Sequence, residues 1–329
     1  MKRLFLLFSL AFSISLFSSC GGNSIDNMPR EDALKMLDDK IKNDSDNADL
    51  YYQRGKLLIS LGKEKNLSQY FKDAITDLKH ATELDDKKSD YYTALGDAYF
   101  SLGNVDESYS ALHQALKLDE NNFEACMKMG EIAFYSGNYE LAMENLNKVT
   151  AQDKDNQTAL FMKGFIYMEN NDTTNAVLYF RRLTELYPDY APAYEQLGML
   201  YINNSNKLGL EYLTTALNLD PKNVNILYGI AQFYQDAEEA DLANEYYVKI
   251  LEIDPTNKYA WFNRGRLELE LYEDYNAALD FFSKALESDP QFAEAHHNKG
   301  VAYEMLGDKT NADICYAKAR ELGFVKEIL

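Results

Sequence analysis

Proline and glycine are scarce in this chain of 329 residues, 6 and 16 against 25 tyrosines and 17 phenylalanines. An architecture of short strands and tight turns consumes both, so the balance points to helices. Positive charge is also short. Thirty-three Lys and Arg face 53 Asp and Glu, a formal charge of −20 with no basic stripe to offset it. Such a surface repels phosphates and disfavours a nucleic-acid partner; it suits a well-solvated helical surface, or a basic partner. Histidine is rare, and His296-His297 are adjacent, about 100° apart on a helix, with no His-Glu-x-x-His or Cys-x-x-Cys beside them. His296 is expected in the core and His297 on the inner face. No phosphate-binding loop, nucleophile elbow or distinctive acid pair is present either. Hydrophobic content of 46% with 26% charged residues is that of a folded chain.

Long apolar runs are missing too, except at the start. Lys2 and Arg3 precede Leu4–Phe17, and Ser18-Ser19-Cys20 follows. Fourteen residues fall short of the ~20 that span a bilayer, and the charged start and small residues make 1–19 a secretory signal peptide. Leu16-Phe17-Ser18-Ser19-Cys20 resembles the bacterial lipobox, with Phe17 where that family usually carries Leu, Val or Ile. The resemblance implies lipidation at Cys20 by a diacylglyceryl thioether and a further acyl chain, hence a stable membrane anchor. Gly21 in place of Asp implies an outer-membrane lipoprotein of the bacterial envelope. The periplasmic face is favoured over the cell surface. Residues 20–28 then form the lipidated cysteine and a polar tether.

The rest of the chain repeats one stretch, Gln157–Tyr190. Leu160, Gly164 and Tyr167 share one helical face, and Ala176, Phe180 and Leu183 share another. Asn170–Asn175 is a turn and Pro188 a stop. The place of Gly164 recurs at Gly55, Gly96, Gly130, Gly198, Ala231, Gly265 and Gly300, spaced 41, 34, 34, 34, 33, 34 and 35 residues from Gly55 to Gly300 with Gly164 included. Small residues recur at Ala74, Ser108, Ala142, Gly209, Ala243, Ala278 and Ala312, where the two helices of a unit approach. Larger ones recur at Leu78, Leu112, Leu146, Leu213, Tyr247, Phe282 and Tyr316. Gly103-Asn104, Gly137-Asn138 and Gly307-Asp308 supply left-handed stops, and four of the six prolines, at 188, 221, 255 and 290, end second helices.

These residues resemble tetratricopeptide repeats, whose period of ~34 and Gly-x-x-Tyr pattern they share. The resemblance implies an all-α, right-handed superhelix, an α-solenoid of about eight helix-turn-helix repeats over 48–323. An N-terminal capping helix spans 29–47 with Ala33, Leu34, Leu37 and Ile41 as its apolar face, and a short tail spans 324–329. Repeat one carries seven extra residues near Lys63–Tyr70, two helical turns shared between its helices or a looped projection. The last repeat has no solvating helix after it, so its edge is expected to be covered by the tail or by a second copy, a homodimer. With Cys20 lipidated, Cys126 and Cys315 lie too many repeats apart to pair and are expected as buried thiols.

The resemblance also implies a partner-binding scaffold with no chemistry of its own, no cofactor and no metal. Such arrays bind protein or peptide along the first helices, at places 2, 5, 9 and 12 of the repeat. The expected groove residues are Met127, Phe134, Phe161, Phe165, Met168, Met199, Ile202, Tyr228 and Phe262, an apolar, Met-containing track able to repack around more than one segment. Each is equally suited to padding its neighbouring first helix. The chaperone-type carboxylate clamp, with Lys at place 5 and Asn at place 9, is absent. Asn263 and Asn298 at place 6 match a backbone-binding asparagine ladder at only two of eight repeats. The alternative reading is a surface-exposed carbohydrate- or nutrient-binding lipoprotein, since tyrosine-rich faces stack on sugars.

Overall fold

The structure is a computed structural model that describes residues 28–202 and 207–324. The signal peptide, Cys20, the tether up to 27 and the tail from 325 lie outside the described residues. The described residues form 17 α-helices and no strand, and none of these helices is long and apolar enough to cross a membrane. The chain divides into two units, Met1–Ile132 and Ala133–Leu329.

In the first unit α1 (Arg30–Asn43) precedes the pairs α2 (Ala48–Lys65) with α3 (Ser68–Leu84) and α4 (Ser89–Ser101) with α5 (Val105–Leu118), and α6 (Phe123–Tyr135) begins. Ala33, Leu37 and Ile41 are buried, and Leu34 packs against the cluster of Leu58, Phe71, Leu78 and Leu95. The extra residues of repeat one are helical: α2 runs 18 residues and α3 17, joined through left-handed Asn66. The longer α2 reaches back to the cap. Lys65 Nζ meets Glu31 at 2.5 Å, and Glu64 pairs with Arg30.

The second unit takes the last turn of α6, then α7 (Tyr139–Gln152), α8 (Gln157–Glu169), α9 (Thr173–Leu186), α10 (Ala191–Ile202), α11 (Lys207–Leu219), α12 (Val224–Asp236) and α13 (Ala240–Ile253). It continues with α14 (Lys258–Leu267), a π-helical turn at Glu268–Tyr272, α15 (Tyr275–Ser288), α16 (Ala293–Met305) and α17 (Lys309–Glu321). Polar N-caps start many of them: Asn156 accepts from Ala159 N, Asp172 from Asn175 N and Asp274 from Ala277 N. Gly103, Gly137 and Gly307 have φ of 85°, 76° and 80°, so these turns take the left-handed stop that glycine permits.

The repeat landmarks pack against one another. The small place is buried in every pair, and the large side chain of the second helix lies on the glycine of the first. A Cβ at Gly164 would sit 2.8 Å from the Phe180 ring, and one at Gly209 2.7 Å from Ile202 N. At Gly209 the obstacle is backbone and cannot yield. Ala231 carries a Cβ in the glycine place and is fully buried, so this place requires smallness and not a special backbone. Tyr247 fills the space over it and donates its hydroxyl to Gln235 Oε1 at 2.8 Å.

Candidate functional site

The face offered by the first helices differs in chemistry between the units. In the first, Asp97 on α4 is buried between Lys63 from the lengthened α2, at 2.7 Å, and Lys128 from α6, at 3.4 Å; Lys128 also holds Glu131 at 3.0 Å. Burial opposes the Asp97 charge, but the two ammonium groups win and hold its carboxyl below the usual range. Arg54 likewise bridges Asp38 and Asp77, each at 2.7 Å. Met127, next to Lys128, is half-buried. Asp97 Oδ1 has the Lys128 charge at 3.4 Å but no hydrogen bond.

In the second unit Phe and Tyr rings stand at place 5 of three repeats, Phe161, Tyr228 and Phe262, at place 9 of one, Phe165, and at Phe134. Phe134 meets Phe165 edge-on at 5.5 Å; Phe161 lies 5.7 Å from Phe180 and 5.8 Å from Tyr190; Phe262 lies 5.7 Å from Phe282 and 4.9 Å from Phe292. Phe161, Phe165 and Met168 pack against the core of Leu160, Phe180 and Leu197, while Met199 and Ile202 pack against that of Leu213 and Ile230. Tyr228 meets Tyr247 edge-on at 6.0 Å and accepts from Asn263 Nδ2 at 2.9 Å. All the expected groove residues are half-buried. Each therefore pads its neighbour with one side and offers the other to solvent.

A rule joins successive repeats here. At three boundaries the residue just before a first helix touches place 5 of the repeat before it. Tyr190 precedes α10 and meets Phe161; Phe292 precedes α16 and meets Phe262; Asn223 precedes α12 and donates to Glu195 Oε2 at 3.2 Å. Burial pushes the Tyr190 hydroxyl up to about 12 and raises the carboxyl of Glu195.

His296 and Cys315 are less buried than expected, while Cys126 is buried as expected. Asn263 is buried and spends its amide on Tyr228 and on Tyr259 O, so it has no ladder to offer. His297, at place 5 of α16, is half-buried, stacks on Phe324 at 4.4 Å and lies tilted 5.3 Å from Tyr316. His296 is half-buried with Nε2 3.1 Å from Pro290 O. Cys126 is buried and Cys315 half-buried. Among the described residues no three His, Cys, Asp or Glu side chains gather as metal ligands.

Four family models of the same kind match the chain: the TPR domain of cytochrome c-type biogenesis protein H over residues 78–194, and tetratricopeptide repeats over 48–87, 228–291 and 281–314. The chain is a tetratricopeptide-repeat protein. Solved tetratricopeptide structures share its α-solenoid. The C-terminal part of a TPR repeat-containing protein from Cytophaga hutchinsonii aligns with a TM-score of 0.59 at 18% identity, covering 71% of this chain and 96% of that one. One from Parabacteroides merdae gives 0.57 at 18%, covering 73% and 95%. Pseudomonas aeruginosa pilF gives 0.53 at 21%, covering 68% and 97%. Among curated proteins, a probable UDP-N-acetylglucosamine–peptide N-acetylglucosaminyltransferase SPINDLY of Hordeum vulgare is 30% identical over 33% of this chain and 12% of its own length. The human mitochondrial import receptor subunit TOM70 is 28% identical over 28% of this chain and 15% of its own length. These are partial matches, covering a small part of the curated relatives.

Proposed function

We propose that this tetratricopeptide-repeat protein is a non-enzymatic scaffold of the bacterial envelope, anchored in the outer membrane through Cys20 and facing the periplasm. It holds protein or peptide segments along the first helices of its second unit. The observation that carries the reading is the run of half-buried rings and Met side chains on α8, α10, α12 and α14, with Phe161, Phe165 and Phe262 each locked on one side and open on the other. Rings held this way lose little freedom on binding, which favours affinity. The first unit serves as a charged, self-satisfied extension that contributes solubility and order.

The lipobox residues support the anchor, and the exposed Met305, Leu306 and Ile314 of the final helix pair support contact with a second copy. Palmitate labelling tests the first: the parent incorporates label and Cys20→Ala does not, whereas label retained by Cys20→Ala overturns the anchor. For the groove, crosslinking in detergent extracts followed by mass spectrometry identifies partners of the parent. The double variant Phe161→Asp/Phe165→Asp loses them; retention of every partner overturns the groove.

A further inference from the structure

Glu195 occupies place 5 of α10, where the repeats on either side place Phe161 and Tyr228. It is 6% exposed, and its hydrogen-bond partner, a neutral amide, does not neutralise it. Asn223 gives it one amide hydrogen bond, while the carbonyl of that same amide is spent on Asn225 N and Ile226 N at the start of α12. Among the described residues no Lys or Arg forms an ion pair with it. Some other acids of the second unit are matched, among them Asp289 with Lys258 at 2.5 Å, Glu270 with Arg266 at 2.9 Å and Asp155 with Arg182 at 2.5 Å. A buried carboxylate without a countercharge costs free energy, and a glutamine there would keep the Asn223 bond at no such cost.

Resting on the groove reading above, we propose that Glu195 is the charge-reading residue of that groove, accepting the Lys or Arg side chain of an extended partner segment. Apolar side chains of that segment lie on the rings of Phe161 and Tyr228 to either side. Packed helices stand about 8–10 Å apart, and an extended chain advances roughly 3.3 Å per residue. The segment therefore reads apolar-x-x-basic-x-x-apolar. Its positive charge also suits a chain of net charge −20.

The test pans a displayed random 12-residue peptide library against the full-length protein in detergent micelles and against Glu195→Gln and Phe161→Asp/Phe165→Asp. The parent is expected to enrich Lys or Arg three residues from an apolar position. Glu195→Gln, no less thermally stable than the parent, is expected to lose the basic preference and bind the best synthetic basic peptide at least about tenfold more weakly. Apolar peptides enriched without a basic preference, or the same preference in Glu195→Gln, overturn the inference and leave the groove standing. A Glu195→Gln protein that melts below the parent assigns the carboxylate a structural role and overturns it too. No enrichment, or enrichment that survives Phe161→Asp/Phe165→Asp, overturns groove and inference together.

Discussion

The two units solve one packing problem with different chemistry. Where the first unit closes its first-helix face with Asp97 between Lys63 and Lys128, the second closes it with Phe161 against Phe180 and Tyr190. The repeat register is common to both. An ion cluster spends its charges on one another and leaves little apolar surface that a ligand can use. Rings padded on one side keep an apolar surface on the other. The difference separates a face that holds the array together from one that has binding capacity to spare.

The sharpest break in that contrast comes from the cores. Phe180 is fully buried and covers Gly164, so Phe180→Ala should cost about 3–5 kcal/mol, lowering hydrogen-exchange protection in α8 and α9. Asp97→Ala should cost the first unit less, about 1.5–3 kcal/mol, because half-buried Lys128 loses one charged partner and keeps Glu131. The two losses differ in their response to pH. Asp97 has a lowered folded pKa, so its contribution is present above the ordinary aspartate value and drains as pH falls through the lowered one. Acid should therefore loosen α4 before α8 in the parent and should not do so in Asp97→Ala. A uniform loss of protection along both units would erase the comparison.

Glu195 has the opposite sign. Its folded pKa is raised by burial and by the field of Asp220, so the parent gains stability as pH falls through that value and loses it as pH rises. Glu195→Gln should melt about 1–3 kcal/mol more stably than the parent near pH 8, and the advantage should shrink by about pH 4. The smallest effect is expected on the second-helix surface. Leu178, 62% exposed, can be changed to Ser with a stability change within about 0.5 kcal/mol and no change in partner capture.

Much of this fold is legible in the sequence because its landmarks are set by local sterics. A glycine at 164 and a large residue at 180 recur together because one lies on the other, and the Gly-Asn and Gly-Asp turns declare their backbone directly. The candidate face is legible only in part. Which side of Phe161 is padded depends on Tyr190, which touches it across a repeat boundary. Asn263 looks available at its place in the repeat, yet Tyr228 claims it from another helix. The three-repeat ion cluster of Asp97 arises only because the longer α2 delivers Lys63. For Glu195 a signal did exist, the single acid at its repeat place, flanked by Phe161 and Tyr228 in the neighbouring repeats, but its isolation from cations is visible only once the helices are packed.

The central claim is that the second unit binds its partner along the first helices. A photoreactive phenylalanine analogue placed at Phe165, and separately at Leu178 on the second-helix surface, tests it most directly in living cells. The account predicts a discrete crosslinked partner from position 165 and none from 178; equal crosslinking from both, or crosslinking from 178 alone, would contradict it.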